Sequence, residues 1–102
     1  MNEPSVPVNF RWLVEGRIAG SGLPESPEQV DALYAAGVRA VVSFHPVPDA
    51  ARERLREREI EYLEYPIDGF TSVPARPFET FLAFVDERAY PAAGTPRPVL
   101  FH

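Results

Sequence analysis

The apolar positions change period along the chain, and the changes mark its elements. Phe10, Trp12 and Val14 alternate with polar or smaller residues, as a short half-buried strand does, and Glu15-Gly16 turns the chain into a second short strand over Arg17 to Gly20. The two form a hairpin expected at a sheet edge. Ser26-Pro27-Glu28-Gln29 is a helix start, with a hydroxyl to cap free amides, proline at the first position and glutamine three residues after the cap. Val30, Leu33 and Tyr34 share one face of this helix, and Gly37 supplies the left-handed conformation that ends it. Val38 to Phe44 is apolar on both sides, which fits a buried parallel strand.

His45-Pro46-Val47-Pro48 reads as a loop, since neither proline can donate to a ladder. Asp49 is placed to cap a helix over residues 50–59, whose Arg and Glu residues form a solvated face. Ile60 to Ile67 alternates as a strand ending near Pro66, and Asp68-Gly69 stops it. Phe78, Phe81, Leu82 and Val85 then lie at i, i+3, i+4 and i+7, the stripe of an amphipathic helix. Tyr34, Phe78, Phe81, Phe84 and Trp12 are read as core. Tyr90 to Pro96 breaks the helix, and Val99-Leu100-Phe101-His102 opens as an apolar strand.

The alternation from residue 26 onward predicts an α/β fold: a mostly parallel central sheet, helices on its faces and the N-terminal hairpin at one edge. Residues 1–8 are read as an irregular leader and 9–102 as part of one domain. Sites in such sheets lie outside the carboxyl ends of the strands, here Phe44-His45, Ile67-Asp68 and Phe101-His102.

Composition narrows the function classes. The chain has 102 residues, 45% of them hydrophobic and 12% aromatic, which is enough for one small globular domain. Fifteen acidic against ten scattered basic residues argue against a nucleic-acid duplex as partner. No apolar run reaches the ~20 residues of a membrane span, and the start lacks the pattern of an export signal. A cytoplasmic protein without a membrane or obligate partner is the expectation. Cysteine is absent, and His45 and His102, the only histidines, have no metal-site spacing, so neither metal nor cofactor is assigned.

Three blocks carry a resemblance. Asn9-Phe10-Arg11-Trp12 with Gly16 to Gly20, then Val38 to Phe44, then Tyr65-Pro66-Ile67-Asp68 resemble, in order and spacing, small atypical dual-specificity phosphatases of the cysteine-dependent protein phosphatase family. The likeness covers nearly the whole chain. In that family the strand resembling Val99 to His102 runs into the signature His-Cys-x-x-Gly-x-x-Arg, so the resemblance implies a domain that stops just before its nucleophile. It implies hydrolysis of phosphate monoesters through a cysteinyl-phosphate intermediate, with a phosphorylated protein or small phosphate ester as substrate; family members span proteins, nucleotides' 5′ ends and phosphoinositides.

Residue by residue, Asp68 matches the general acid that protonates the leaving group and then serves as base toward water. On its own Asp68-Gly69 reads as an ordinary turn. His102 matches the residue that flanks the phosphate loop and supports it through hydrogen bonds; as a terminal residue it reads rather as a frayed end. Arg17 and Arg76 are candidates for substrate contacts, although an exposed arginine is more often only solvated. His45 reads as a surface residue. The implied fold places covering helices after the last strand, so Val41, Val42, Leu63, Leu100 and Phe101 are expected partly exposed and the isolated chain poorly stable. Two other readings stay open: a non-catalytic pseudophosphatase-like module, favoured by the missing cysteine, and an unrelated flavodoxin-like or rhodanese-like domain, disfavoured by the hairpin.

Overall fold

The computed structural model describes residues 6–64 and 78–102. Five strands form one sheet: β1 (Arg11–Val14), β2 (Ile18–Gly20), β3 (Ala40–Ser43), β4 (Glu61–Glu64) and β5 (Val99–Phe101). Three helices connect them: α1 (Pro27–Ala36), α2 (Asp49–Glu57) and α3 (Phe78–Ala89). The strand order is β1-β2-β5-β3-β4, with β1 antiparallel to β2 and the other neighbours parallel. The α/β architecture and the edge hairpin are thus as the periodicity predicts.

The chain steps from β2 through β3 to β4 in one direction, then returns to place β5 between β2 and β3. With right-handed crossovers, a reversal of direction moves the connecting helix to the opposite face. Accordingly, one buried cluster joins Val30 and Leu33 of α1 and Ala51 and Leu55 of α2 to Ala19, Val41 and Leu100 of the sheet. A second cluster on the other face joins Ala89 of α3 to Ala40, Val42 and Val99, with Phe84 and Val85 packed against it. Successive residues of β3 and β5 divide between the two faces, as strand geometry requires.

Val41, Val42 and Leu100 are fully buried, and only Leu63 and Phe101 remain half-buried. The expected exposure is therefore corrected for the first three: α1 and α2 cover one face, and α3 already covers much of the other. Residues 6–8 are irregular in conformation yet attached, with Pro7 buried, Val6 against the first cluster and the Gly22 amide donating to the Val8 carbonyl at 2.7 Å.

Helix ends follow their sequence signals in part. The Ser26 hydroxyl accepts from the Gln29 amide at 3.3 Å, and Gly37 takes φ 107° as the left-handed cap of α1. The Gln29 side chain accepts from the Glu25 amide at 2.6 Å, so it closes on the residue before the cap. Asp49 is not a cap: it is the first residue of α2, and Pro48 occupies the cap position, where proline has no side-chain acceptor to offer the first amides. Tyr34 is not core either. It is 37% exposed, with the Arg39 guanidinium 3.8 Å and that of Arg58 5.5 Å from its ring centre, which holds the ring on the surface. Leu82 is 50% exposed, and the covered stripe of α3 runs through Phe84, Val85 and Ala89. Trp12 and Phe84 pack on the core as expected, whereas the side chains of Phe78 and Phe81 lie outside the described residues.

Candidate functional site

The four parallel strands end at a common edge, and its geometry is set by register. Val42 pairs with Phe101, so the next positions, Ser43 and His102, fall side by side on the face covered by α1 and α2. The Ser43 Oγ is hydrogen-bonded to His102 Nε2. Ser43 is fully buried, the only polar residue so enclosed among those described.

His102 is not frayed. Its amide donates to the Val42 carbonyl and its carbonyl accepts from the Phe44 amide, both at 3.3 Å, so β3 grips it on both sides of its Cα. Phe101 and Phe44 stack with ring centres 6.3 Å apart. Burial, followed by the charge of His45 on the adjoining loop, lowers the His102 pKa from 6.5 to about 4. The imidazole is therefore neutral at physiological pH.

Beside this pair, Ser43, Phe44, Pro46 and Glu64 line a cavity of about 160 Å³. The Glu64 carboxylate accepts from Arg52 Nη2 and from the Tyr62 hydroxyl, each at 3.1 Å, and the Tyr62 oxygen accepts from the Val47 amide at 3.3 Å. This network ties the loop after β3 to the end of β4. A larger cavity of about 580 Å³ lies between α3 and Phe101, lined by Leu82, Ala83, Val85, Asp86 and Tyr90. It is chiefly apolar, and among the described residues that line it Asp86 is the one ionisable group besides the Tyr90 phenol, so the small cavity is the better candidate for chemistry.

The sequence-predicted residues do not all meet there. Asp68 and Arg76 lie outside the described residues. Arg17 lies at the opposite end of the sheet, since Ile18 pairs with Val99 and His102 stands four positions beyond the level of Arg17, about 13 Å at strand rise. The Arg17 guanidinium donates to the Ala89 carbonyl at 2.5 Å and sits 4.8 Å from the Tyr90 ring centre, which makes it a cap for α3. His45 is exposed on the loop that follows β3. Sequence reasoning does not single out Ser43 or Glu64. A lone hydroxyl in Val-Val-Ser-Phe is the available signal, because a buried polar atom needs a partner. Among the described residues no three His, Asp or Glu side chains cluster as a metal site needs, and no helix is long and apolar enough to cross a membrane.

Neither a protein-family model nor a curated protein matches the chain. Solved structures do. One is the crystal structure of a protein from Shewanella putrefaciens CN-32 named "Putative phosphatase (DUF442)", with a TM-score of 0.65 at 22% identity over 95% of this chain. The chain spans 59% of that protein's length. At this identity the likeness establishes the fold alone, an α/β sheet of the kind that protein has.

Proposed function

We propose that the chain forms part of a cysteine-dependent phosphatase domain of the dual-specificity or protein-tyrosine type, acting on a phosphorylated protein or a small phosphate ester. The observation that carries this reading is the position of His102. It is held by its backbone and its ring at the carboxyl edge of central β5, where the family resemblance places the residue before the nucleophile. A neutral imidazole there can hydrogen-bond to a thiolate or phosphate oxygen without adding a charge. The 102 residues contain no cysteine, so the nucleophile of this reading is supplied outside them. Asp68 is its general acid, and Arg76 a substrate contact. Arg17 is better assigned to α3 than to substrate.

The test joins a segment bearing Cys-x-x-Gly-x-x-Arg and its following helix to His102. Vanadate-sensitive hydrolysis of p-nitrophenyl phosphate is expected from the joined protein and none from the 102-residue chain. In the joined protein Asp68→Asn lowers turnover by about 10²-fold or more, and by less for substrates with good leaving groups. A well-folded joined protein without activity would count for the second reading, a non-catalytic binding module, which the missing cysteine favours for these residues taken alone.

A further inference from the structure

Ser43 has a donor and an acceptor to place, and its surroundings decide how. Its hydroxyl is fully buried, and among the described residues its one hydrogen bond is to His102 Nε2. Two directions are possible. If the imidazole donated through an Nε2 proton, the serine proton would be left inside the sheet edge without an acceptor, a loss of about 1–3 kcal/mol. If the serine donates, its proton is used, and its oxygen keeps only lone pairs, which are less costly to leave unfilled. The second arrangement requires a bare Nε2, and therefore a proton on Nδ1.

We propose that Ser43 is a positioning residue that donates its hydroxyl to Nε2 of His102 and holds the imidazole as its Nδ1–H tautomer. Nδ1 is the ring nitrogen nearer the residue's own backbone. Its proton is then a fixed donor at the strand's end, the polarity needed toward a thiolate or phosphate oxygen. That consequence rests on the phosphatase reading, whereas the tautomer itself does not. Protonating Nε2 would also break the serine bond, which works in the same direction as the burial that already keeps His102 neutral. Among the described residues, the other ionisable groups around the pair are His45 on the loop after β3 and Glu64 at the end of β4, the latter paired with Arg52 at 3.1 Å.

Long-range ¹H–¹⁵N correlation spectra of the ¹⁵N-labelled 102-residue chain at pH 7 read the tautomer directly, with exposed His45 as an internal comparison. His102 is expected to show a protonated Nδ1 and a bare Nε2. Ser43→Ala should move it toward the Nε2–H form, and Ser43→Thr, which keeps the hydroxyl, should restore the wild-type pattern. An Nε2–H imidazole in the wild type, or an unchanged tautomer in folded Ser43→Ala, overturns the assignment. Should Ser43→Ala not fold, the wild-type spectrum decides alone. These spectra contain no catalysis, so an inactive joined protein leaves the assignment standing, and a wrong tautomer leaves the activity test open.

Discussion

Arg88 and Glu61 meet in a two-point ion pair, Nε to Oε2 at 2.6 Å and Nη2 to Oε1 at 3.1 Å, which fastens α3 to the first residue of β4. Arg97 also reaches the same carboxylate, at 3.2 Å. The Arg88 hydrogen bonds, which outweigh the opposing effect of burial, hold the Glu61 carboxyl below its ordinary 4.5. Replacing Glu61 by Gln is expected to cost about 1 kcal/mol at pH 7, a fall of roughly 4–8 °C in Tm. A carboxylate with a depressed pKa stabilises above its unfolded value and loses that contribution as pH falls through the folded one. The gap between wild type and Glu61→Gln should therefore narrow once pH falls below the ordinary 4.5 and close as it passes the lowered folded pKa. A gap that persists in acid would assign the effect to packing instead.

His102 gives a pH dependence of different chemistry in a neighbouring window. An unfolded histidine takes up its proton near 6.5, but the folded imidazole does so only near 4. Between those values the unfolded chain binds more protons, so stability falls as pH drops from 6.5 toward 4. The loss is expected to be on the order of 1–2 kcal/mol after allowance for partial exposure. Denaturant titrations of the wild type and His102→Gln across pH 4–7.5 should separate the two, with the variant flat from 7.5 down to 5. Direct NMR titration of His102 near 6.5 would contradict both the burial and the grip of β3.

Arg17 separates a structural from a substrate role. Its bond to Ala89 and its packing on Tyr90 tie the start of β2 to the last turn of α3. Arg17→Met should destabilise by about 1–2 kcal/mol, because a charged hydrogen bond and a cation–π interaction disappear together. In the joined protein it should leave the KM for p-nitrophenyl phosphate within about twofold, since a residue at the far end of the strands does not touch substrate. A large rise in KM with unchanged stability would restore Arg17 as a binding residue.

Local signals in the sequence are legible, and pairings across the sheet are not. Ser26, Pro27 and Gly37 mark α1 because caps act within a few residues, and Val41-Val42 marks a central strand because two successive apolar residues point to opposite faces of the sheet. Helical spacing misplaces Tyr34 and Leu82, because it tells which residues share a stripe but not how wide the covered part is. The arginines that hold Tyr34 outside come from β3's approach and the end of α2. Ser43 and His102 are 59 positions apart, and they become neighbours only once β5 is known to lie beside β3 in a fixed register.

Glu59 offers a stabilising change that the sequence hides. The last turn of α2 closes with the Ile60 amide on the Leu55 carbonyl at 2.9 Å and the Glu59 amide on the Arg56 carbonyl at 3.0 Å, which forces Glu59 to φ 57°. That left-handed conformation crowds a Cβ against its own backbone, at about 1 kcal/mol or somewhat more for a residue other than glycine. α1 ends the same way with Gly37 at φ 107°, where glycine meets no such conflict. Glu59 is exposed, and among the described residues its side chain makes no hydrogen bond or ion pair, so little is given up by removing it. Glu59→Gly should raise stability by roughly 0.5–1 kcal/mol, the relief of strain less the added freedom of the unfolded chain. Gly37→Ala should lower it by about 1 kcal/mol for the converse reason. Chemical denaturation at constant m-value measures both, and a destabilised Glu59→Gly would mean that α2 does not end in the left-handed turn described.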